Sequence, residues 1–280
     1  MDLKQARGSR RTASKKRNKH PANGVTGAQS IHRAAGLLRA ITFRGRDGAR
    51  LVDVARQCGL ERPTVHRILK CLVAEGMVTQ DPGTRRYFLG HLVFELGLAA
   101  APQFNMQQLF EPALLRLAER TGDTVYLSMR SGLDCVCMDR KEGAFPIKTL
   151  TLDVGTRRPL GVGAGGIALL MTLADEEVRE IVAANAWRIA GYGSLRAPVV
   201  LDLIKRSQAL GFALNDRQLT PGAISVGLPV MNPYGAPYAA IGIGAIASRM
   251  SAERLQQLAA LLKSEVRALE RVVVAGKARA

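Results

Sequence analysis

The sequence predicts an α+β protein: a small helical unit closed by a hairpin, then a larger unit in which helices and strands share one sheet. Three observations predict it. Positive charge is concentrated toward the N-terminus, an apolar period of three to four runs through residues 28–76, and a period of two takes over from Thr124. Of 280 residues, 40 are Lys or Arg and 23 are Asp or Glu, a net charge of +17. Residues 1–27 hold eight basic and one acidic side chain, and residues 28–90 hold eleven and five, so +13 of the +17 lies in the first 90 positions. That asymmetry favours a polyanionic partner for the N-terminal part.

Residues 1–27 carry almost no large apolar side chain. They cannot bury enough surface to fold alone, so a disordered basic arm is expected, either beside nucleic acid or as a solvated tail. Ser30 is expected to N-cap a helix with Ile31, Ala34, Ala35, Leu38 and Ile41 on one face. Leu51–Cys58 fits a short second helix ended by Gly59. Pro63 suits the first turn of a third helix, whose apolar stripe is Val65, Ile68, Leu69 and Leu72. At 100° per residue, Arg67 and Lys70 fall opposite that stripe, with Thr64 and His66 on its flanks. Gly76 closes the helix, and Met77–Gln80 meets Arg86–Leu89 across Asp81-Pro-Gly-Thr, a turn sequence.

Residues 91–105 read as a linker helix with a break near Ala101-Pro102, and residues 106–275 as the larger unit. Phe110, Ala113, Leu114 and Leu117 form a core stripe. Val125–Met129 and Cys135–Met138 are expected as strands joined at Ser131-Gly132, with further strands at 213–215, 225–230 and 239–247. Helices are expected at 163–173, 176–184 and 198–210, and from about Ala252 onward. The last carries Leu255, Ala259, Leu262, Val266, Leu269 and Val273, a stripe read as core packing rather than a coiled coil.

The counts exclude several chemistries. The four cysteines form no C-x-x-C pair, and no histidine follows His91. A His-dependent triad or metal centre in the larger unit is therefore excluded, and neither a metal nor a cofactor is expected. No G-x-S-x-G, P-loop or H-E-x-x-H occurs. The polar start lacks a signal-peptide core, and the apolar stretches 159–174 and 218–248 are too short or too proline-rich to span a bilayer. A soluble, cytoplasmic protein without membrane contact is expected.

Helix, short helix, glycine turn, helix and hairpin over residues 28–90 read as a winged helix-turn-helix. The third helix must turn apolar side chains to the core and polar ones to a DNA groove, and residues 63–75 do both. The candidate DNA contacts are Ser30, Arg33, Arg62, Thr64, His66, Arg67, Lys70, Arg85 and Arg86. Arginine can read guanine through two hydrogen bonds. Arg85 and Arg86 sit near the hairpin tip, within reach of phosphate or a minor groove. His66 is open between a reader and a cover for the core edge.

"SIHRAAGLLR", "LVDVARQCGLERPTVHRILKCLVAEGMV" and "RRYFLG" resemble the DNA-binding domain of the IclR family of bacterial transcription regulators. "GDTVYLSMRSGLDCVCMDR", "VGTRRPLGVGAGGIALL" and "GFALND" resemble its effector-binding domain, so that the likeness runs over roughly residues 28–272. The resemblance implies a GAF-like α/β effector domain, a homodimer or homotetramer, and ligand-controlled binding to operator DNA.

Gly161-Val-Gly-Ala-Gly-Gly166 formally matches G-x-G-x-x-G, but it lacks the preceding βα unit and the distant acidic residue of a dinucleotide site. It opens a helix, whose free N–H groups can hold a carboxylate. The resemblance implies an effector site at Gly163, Ala164, Asn215, Ser225, Gly242 and Gly244. Asn215 stands where the family commonly has Asp, and Gly242 and Gly244 stand where some keto-acid-binding members have serines. The two glycines either make room for a bulkier ligand or simply let the sheet pack closely. A small organic acid larger than pyruvate, aromatic acids included, is the expected effector. The alternative from another class is an enzyme acting on a small carboxylate with a DNA-binding appendage.

Overall fold

The computed structural model describes residues 28–43, 47–101, 106–216 and 219–277. The expected basic arm, residues 1–27, lies outside them. The N-terminal unit comprises α1 (Gln29–Thr42), α2 (Leu51–Cys58), α3 (Arg62–Ala74) and an antiparallel hairpin of β1 (Val78–Gln80) and β2 (Tyr87–Leu89). Leu37, Ala40, Ile41, Val54, Ala55, Val65, Leu69, Leu72, Val78 and Tyr87 close its core. Gly59 ends α2 at φ +62°, as its position in the turn requires.

Two expectations for α1 need correction. Ser30 does not cap it: Ala28 is the N-cap, and its carbonyl accepts the His32 N–H at 3.0 Å. A side-chain cap is worth about 1 kcal/mol, and starting the helix earlier adds backbone bonds that compensate its loss. Ile31 is 70 % exposed, while Leu37, which the expected stripe omitted, is fully buried. The contact face runs through Ala34, Leu37, Leu38 and Ile41, so the first turn of α1 projects past the three-helix core.

α4 (His91–Ala100) follows, with no buried residue. α5 (Met106–Thr121) then leads into β3 (Thr124–Ser131), β4 (Asp134–Glu142), β5 (Arg157–Pro159), α6 (Gly163–Leu170), α7 (Asp175–Ile189), α8 (Ala197–Leu210), β6 (Ala213–Asn215), β7 (Ala223–Met231), β8 (Pro237–Ile246) and α9 (Ala252–Lys277). The six strands form one antiparallel sheet in the order β5-β4-β3-β8-β7-β6. The uncharged stretches at 159–174 and 218–248 hold the short α6 and the β7–β8 pair. Among the described residues no helix is long and apolar enough to cross a membrane.

The period-two pattern sorts the sheet faces. Val125, Leu127, Val226, Leu228, Ile241 and Ile243 pack on α5 and α9, where Ala259, Leu262, Val266 and Leu269 of the expected stripe are buried, Leu255 is partly buried, and Leu258, outside that stripe, is buried as well. The intervening residues face the other way, toward α6. There Ile167, Leu169 and Leu170 share a second core with α7 and α8. On that second face the glycines of the first turn of α6 bring the helix close to the sheet: a Cβ at Gly165 would meet the Ser128 side chain of β3.

Candidate DNA-reading face and ligand cavity

α3 presents Arg62, His66, Arg67 and Lys70 to solvent, with Thr64 partly covered, while Val65, Leu69 and Leu72 are buried beneath. His66 therefore does not cover the core edge. Among the described residues no carboxylate pairs with Arg62, Arg67 or Lys70, so their charge is available to a partner. Ser30 is exposed on α1 and Arg33 partly so.

The two wing arginines differ. Arg85 is exposed at the hairpin tip with φ +58°. Arg86 is pinned: its Nη1 donates to the carbonyls of Asp47 and Gly48 at 2.8 and 3.1 Å. Those bonds tie the wing to the turn before α2, where Gly48 holds φ +67° and a side chain would run into the Phe88 ring.

In the larger unit, all six expected effector residues line one cavity, with about 690 Å³ of empty space including its open mouth. Its floor follows from strand register. Gly242 lies between Tyr126 and Gly227, and Ser225 lies between Asn215 and Gly244. A Cβ at Gly242 would meet only the Val226 carbonyl, at 3.3 Å, and one at Gly244 would meet Thr149 Oγ1 at 3.3 Å. Close helix–sheet packing instead falls at Gly227, whose Cβ would press on the Ala164 carbonyl at 3.2 Å. Gly242 and Gly244, unlike Gly227, line the cavity and form part of its floor.

The roof is the start of α6. Gly163 adopts φ +80°, and α6 has neither a side-chain cap nor an acidic residue in its first turn. Its first N–H groups, with the positive end of the helix dipole, suit an anion.

Sequence reasoning missed several lining residues: Arg158, Tyr126, Thr149, Thr151, Cys135 and Cys137. Strand alternation separates the adjacent arginines of β5. Arg157 donates to Asp134 at 2.9 Å. Arg158 turns to the cavity, where its Nη1 lies 3.8 Å from the Cβ position of Gly163 and its Nη2 donates to the Thr151 carbonyl. Burial lowers its pKa from the ordinary arginine value, and no carboxylate pairs with it among the described residues. The Tyr126 hydroxyl donates to the Thr149 carbonyl and accepts the Thr151 N–H at 3.2 Å, fixing the segment that walls the cavity. Burial pushes the thiols of Cys135 and Cys137 up to about 11 and about 12.

A winged helix-turn-helix joined to a mainly apolar cavity with a few polar groups in its lining defines a ligand-responsive, DNA-binding regulator of transcription. Residues 30–82 match the family described as "IclR helix-turn-helix domain", and residues 98–271 match "Bacterial transcriptional regulator IclR C-terminal". The chain belongs to the IclR family. It is similar to the HTH-type transcriptional regulator XynR of Escherichia coli, at 24 % identity over 88 % of this chain and 97 % of that protein. It is also similar to the HTH-type transcriptional repressor AllR of Salmonella typhi, at 27 % over 81 % and 84 %. The fold matches an IclR-family regulator from Brucella abortus (TM-score 0.70, 23 % identity, 87 % of this chain and 92 % of that one). It also matches an IclR homologue from Microbacterium hydrocarbonoxydans complexed with 4-hydroxybenzoate (TM-score 0.62, 18 % identity, 88 % of this chain and 99 % of that one).

Proposed function

We propose that this regulator binds a duplex operator in the cytoplasm as a homodimer or homotetramer, and that a small organic acid in the cavity shifts its DNA-competent population. α3 enters the major groove with Arg67 and Lys70 as readers and Arg62, Thr64 and His66 beside them. Ser30, Arg33, Arg85 and Arg86 approach the backbone. The acid sets its carboxylate at Gly163-Ala164 and its body over Gly242 and Gly244, with Asn215 and Ser225 alongside. The observation that carries this reading is the convergence of those six residues on one cavity beneath an uncapped helix start.

Assembly is supported by α4, where Phe94 and Leu98, one turn apart on one face, are 62 % and 58 % exposed, an apolar pair suited to a second copy. Binding rather than conversion of the ligand is supported by chemistry: the last histidine is His91, and thiols held near 11 and 12 are poor nucleophiles at neutral pH. The 4-hydroxybenzoate on a relative of the same fold is consistent with an aromatic acid.

The test is enrichment of genomic fragments by the full-length protein across a salt series. A single shared sequence should emerge, with affinity falling steeply as salt rises because Lys and Arg displace counterions. Recovery of unrelated fragments, or affinity that ignores salt, would overturn the reading.

A further inference from the structure

The cavity carries three polar groups left without their natural partners, and together they describe an occupant. Arg158 is a cation without a counter-charge among the described residues, poised at the first turn of α6. A helix start offers roughly half a positive charge, whereas a guanidinium offers a full one with parallel donors matched to a carboxylate. The other two belong to the row Asn215–Ser225–Gly244: Asn215 is its first member and Thr149 lies against Gly244. Thr149 Oγ1 and Asn215 Oδ1 are buried without a hydrogen-bond partner, in residues only 8 % and 6 % exposed. Both line the same cavity as Arg158. Asn215 Oδ1 can only accept, whereas the Thr149 hydroxyl can accept or donate; a buried polar atom left unpaired costs its desolvation, and a ligand hydroxyl, which both donates and accepts, can satisfy the two together.

We propose that Arg158 reads the effector's carboxylate, and that Thr149 and Asn215 select an acid that also carries a hydrogen-bond donor, such as a hydroxyl. This rests on the organic-acid reading above and refines it. Gly242 and Gly244 supply the space between the two ends, and the polar row makes an unsubstituted acid the poorer ligand. Arg158 also links the ligand to the cavity wall through the Thr151 carbonyl.

Calorimetric titration of the full-length protein tests it, with propionate, lactate, benzoate, 4-hydroxybenzoate and 4-hydroxybenzamide as probes. Wild type should bind at least one of these acids. Each hydroxy acid that binds should do so about tenfold more tightly than its unsubstituted partner, and the neutral amide should bind weakest. Arg158→Gln should cost the acids about ten- to a hundredfold while leaving the amide unchanged, with Arg158→Lys between. Thr149→Val, close in shape, should erase most of the hydroxyl preference and spare the unsubstituted acids. If acids bind in preference to the amide yet Arg158→Gln binds them like wild type, the assignment of Arg158 fails and the organic-acid reading stands. If hydroxyl and parent acids bind alike, the donor requirement fails. If no acid binds, or the amide matches its acid, both this inference and the reading beneath it fall.

Discussion

The guanidinium of Arg188 in α7 lies over the ring of Phe43, the residue that closes α1, at 4.6 Å from its centroid. This contact ties the DNA-reading unit to the cavity-bearing unit. Arg188 also donates to Asn185 Oδ1 at 3.0 Å and to Asp134 Oδ1. The other carboxylate oxygen of Asp134 accepts from Arg157, the neighbour of Arg158 on β5. A cation over an aromatic face is worth about 0.5–1 kcal/mol where exposed. A double-mutant cycle of Phe43→Leu and Arg188→Gln, read by urea unfolding of the full chain, should return a coupling of about that size. Additive effects would remove the contact from the solution structure.

Arg67→Ala should fold like wild type, because the side chain projects from α3 on the face opposite Val65 and Leu69. It should lose about 1–3 kcal/mol of discrimination at one operator position if its contact is bidentate. Unaltered footprints from a folded variant would exclude Arg67 as a reader.

Replacing Gly242 and Gly244 with serine should shift the cavity toward smaller, more polar acids. Both glycines line the cavity, and a Cβ at Gly244 would press on two other lining groups, Thr149 Oγ1 at 3.3 Å and the Tyr126 ring at 3.5 Å, so the added side chains narrow it. Overpacking a filled cavity costs about 1–3 kcal/mol, which should appear in the titration as weaker binding of aromatic acids and a relative gain for two- and three-carbon acids. An unchanged ligand profile contradicts this placement.

Alkaline pH should destabilise the larger unit. Burial raises Cys135 and Cys137 from 9.0 to about 11 and about 12. A folded-state pKa above the unfolded one contributes stability that is complete below the unfolded value and is lost as pH climbs through the folded one. Melting temperature should therefore decline from pH 9 upward, and the Cys135→Ala/Cys137→Ala variant should decline less steeply. Parallel pH profiles for the two proteins would show that the thiols ionise freely.

Periodicity made most elements legible. Val65, Leu69 and Leu72 on α3, and the alternation of Val125 and Leu127 against Tyr126 and Ser128, follow directly from spacing. The expected cavity positions also converge. Arg158 was illegible because β5 is three residues long, too short to display a period, and two adjacent arginines look like a solvated pair. A paired charge on a strand does carry one usable signal: alternation sends one member inward. Thr149 and Thr151 lie on the irregular connection between β4 and β5, where no repeat marks which side chains point in. Ser30 misled because capping preference is a local energy that the earlier helix start at Ala28 outweighs.

The most direct test of the whole account is fluorescence anisotropy of a labelled operator duplex titrated with full-length protein, with and without a saturating acid that the calorimetry identifies. A ligand moves the DNA equilibrium only by its unequal affinity for the two states. The account predicts that the acid changes operator affinity by about fivefold or more, the usual scale of such coupling, and that it does so in wild type but not in Arg158→Gln at the same acid concentration. Superimposable isotherms with and without bound acid would contradict it.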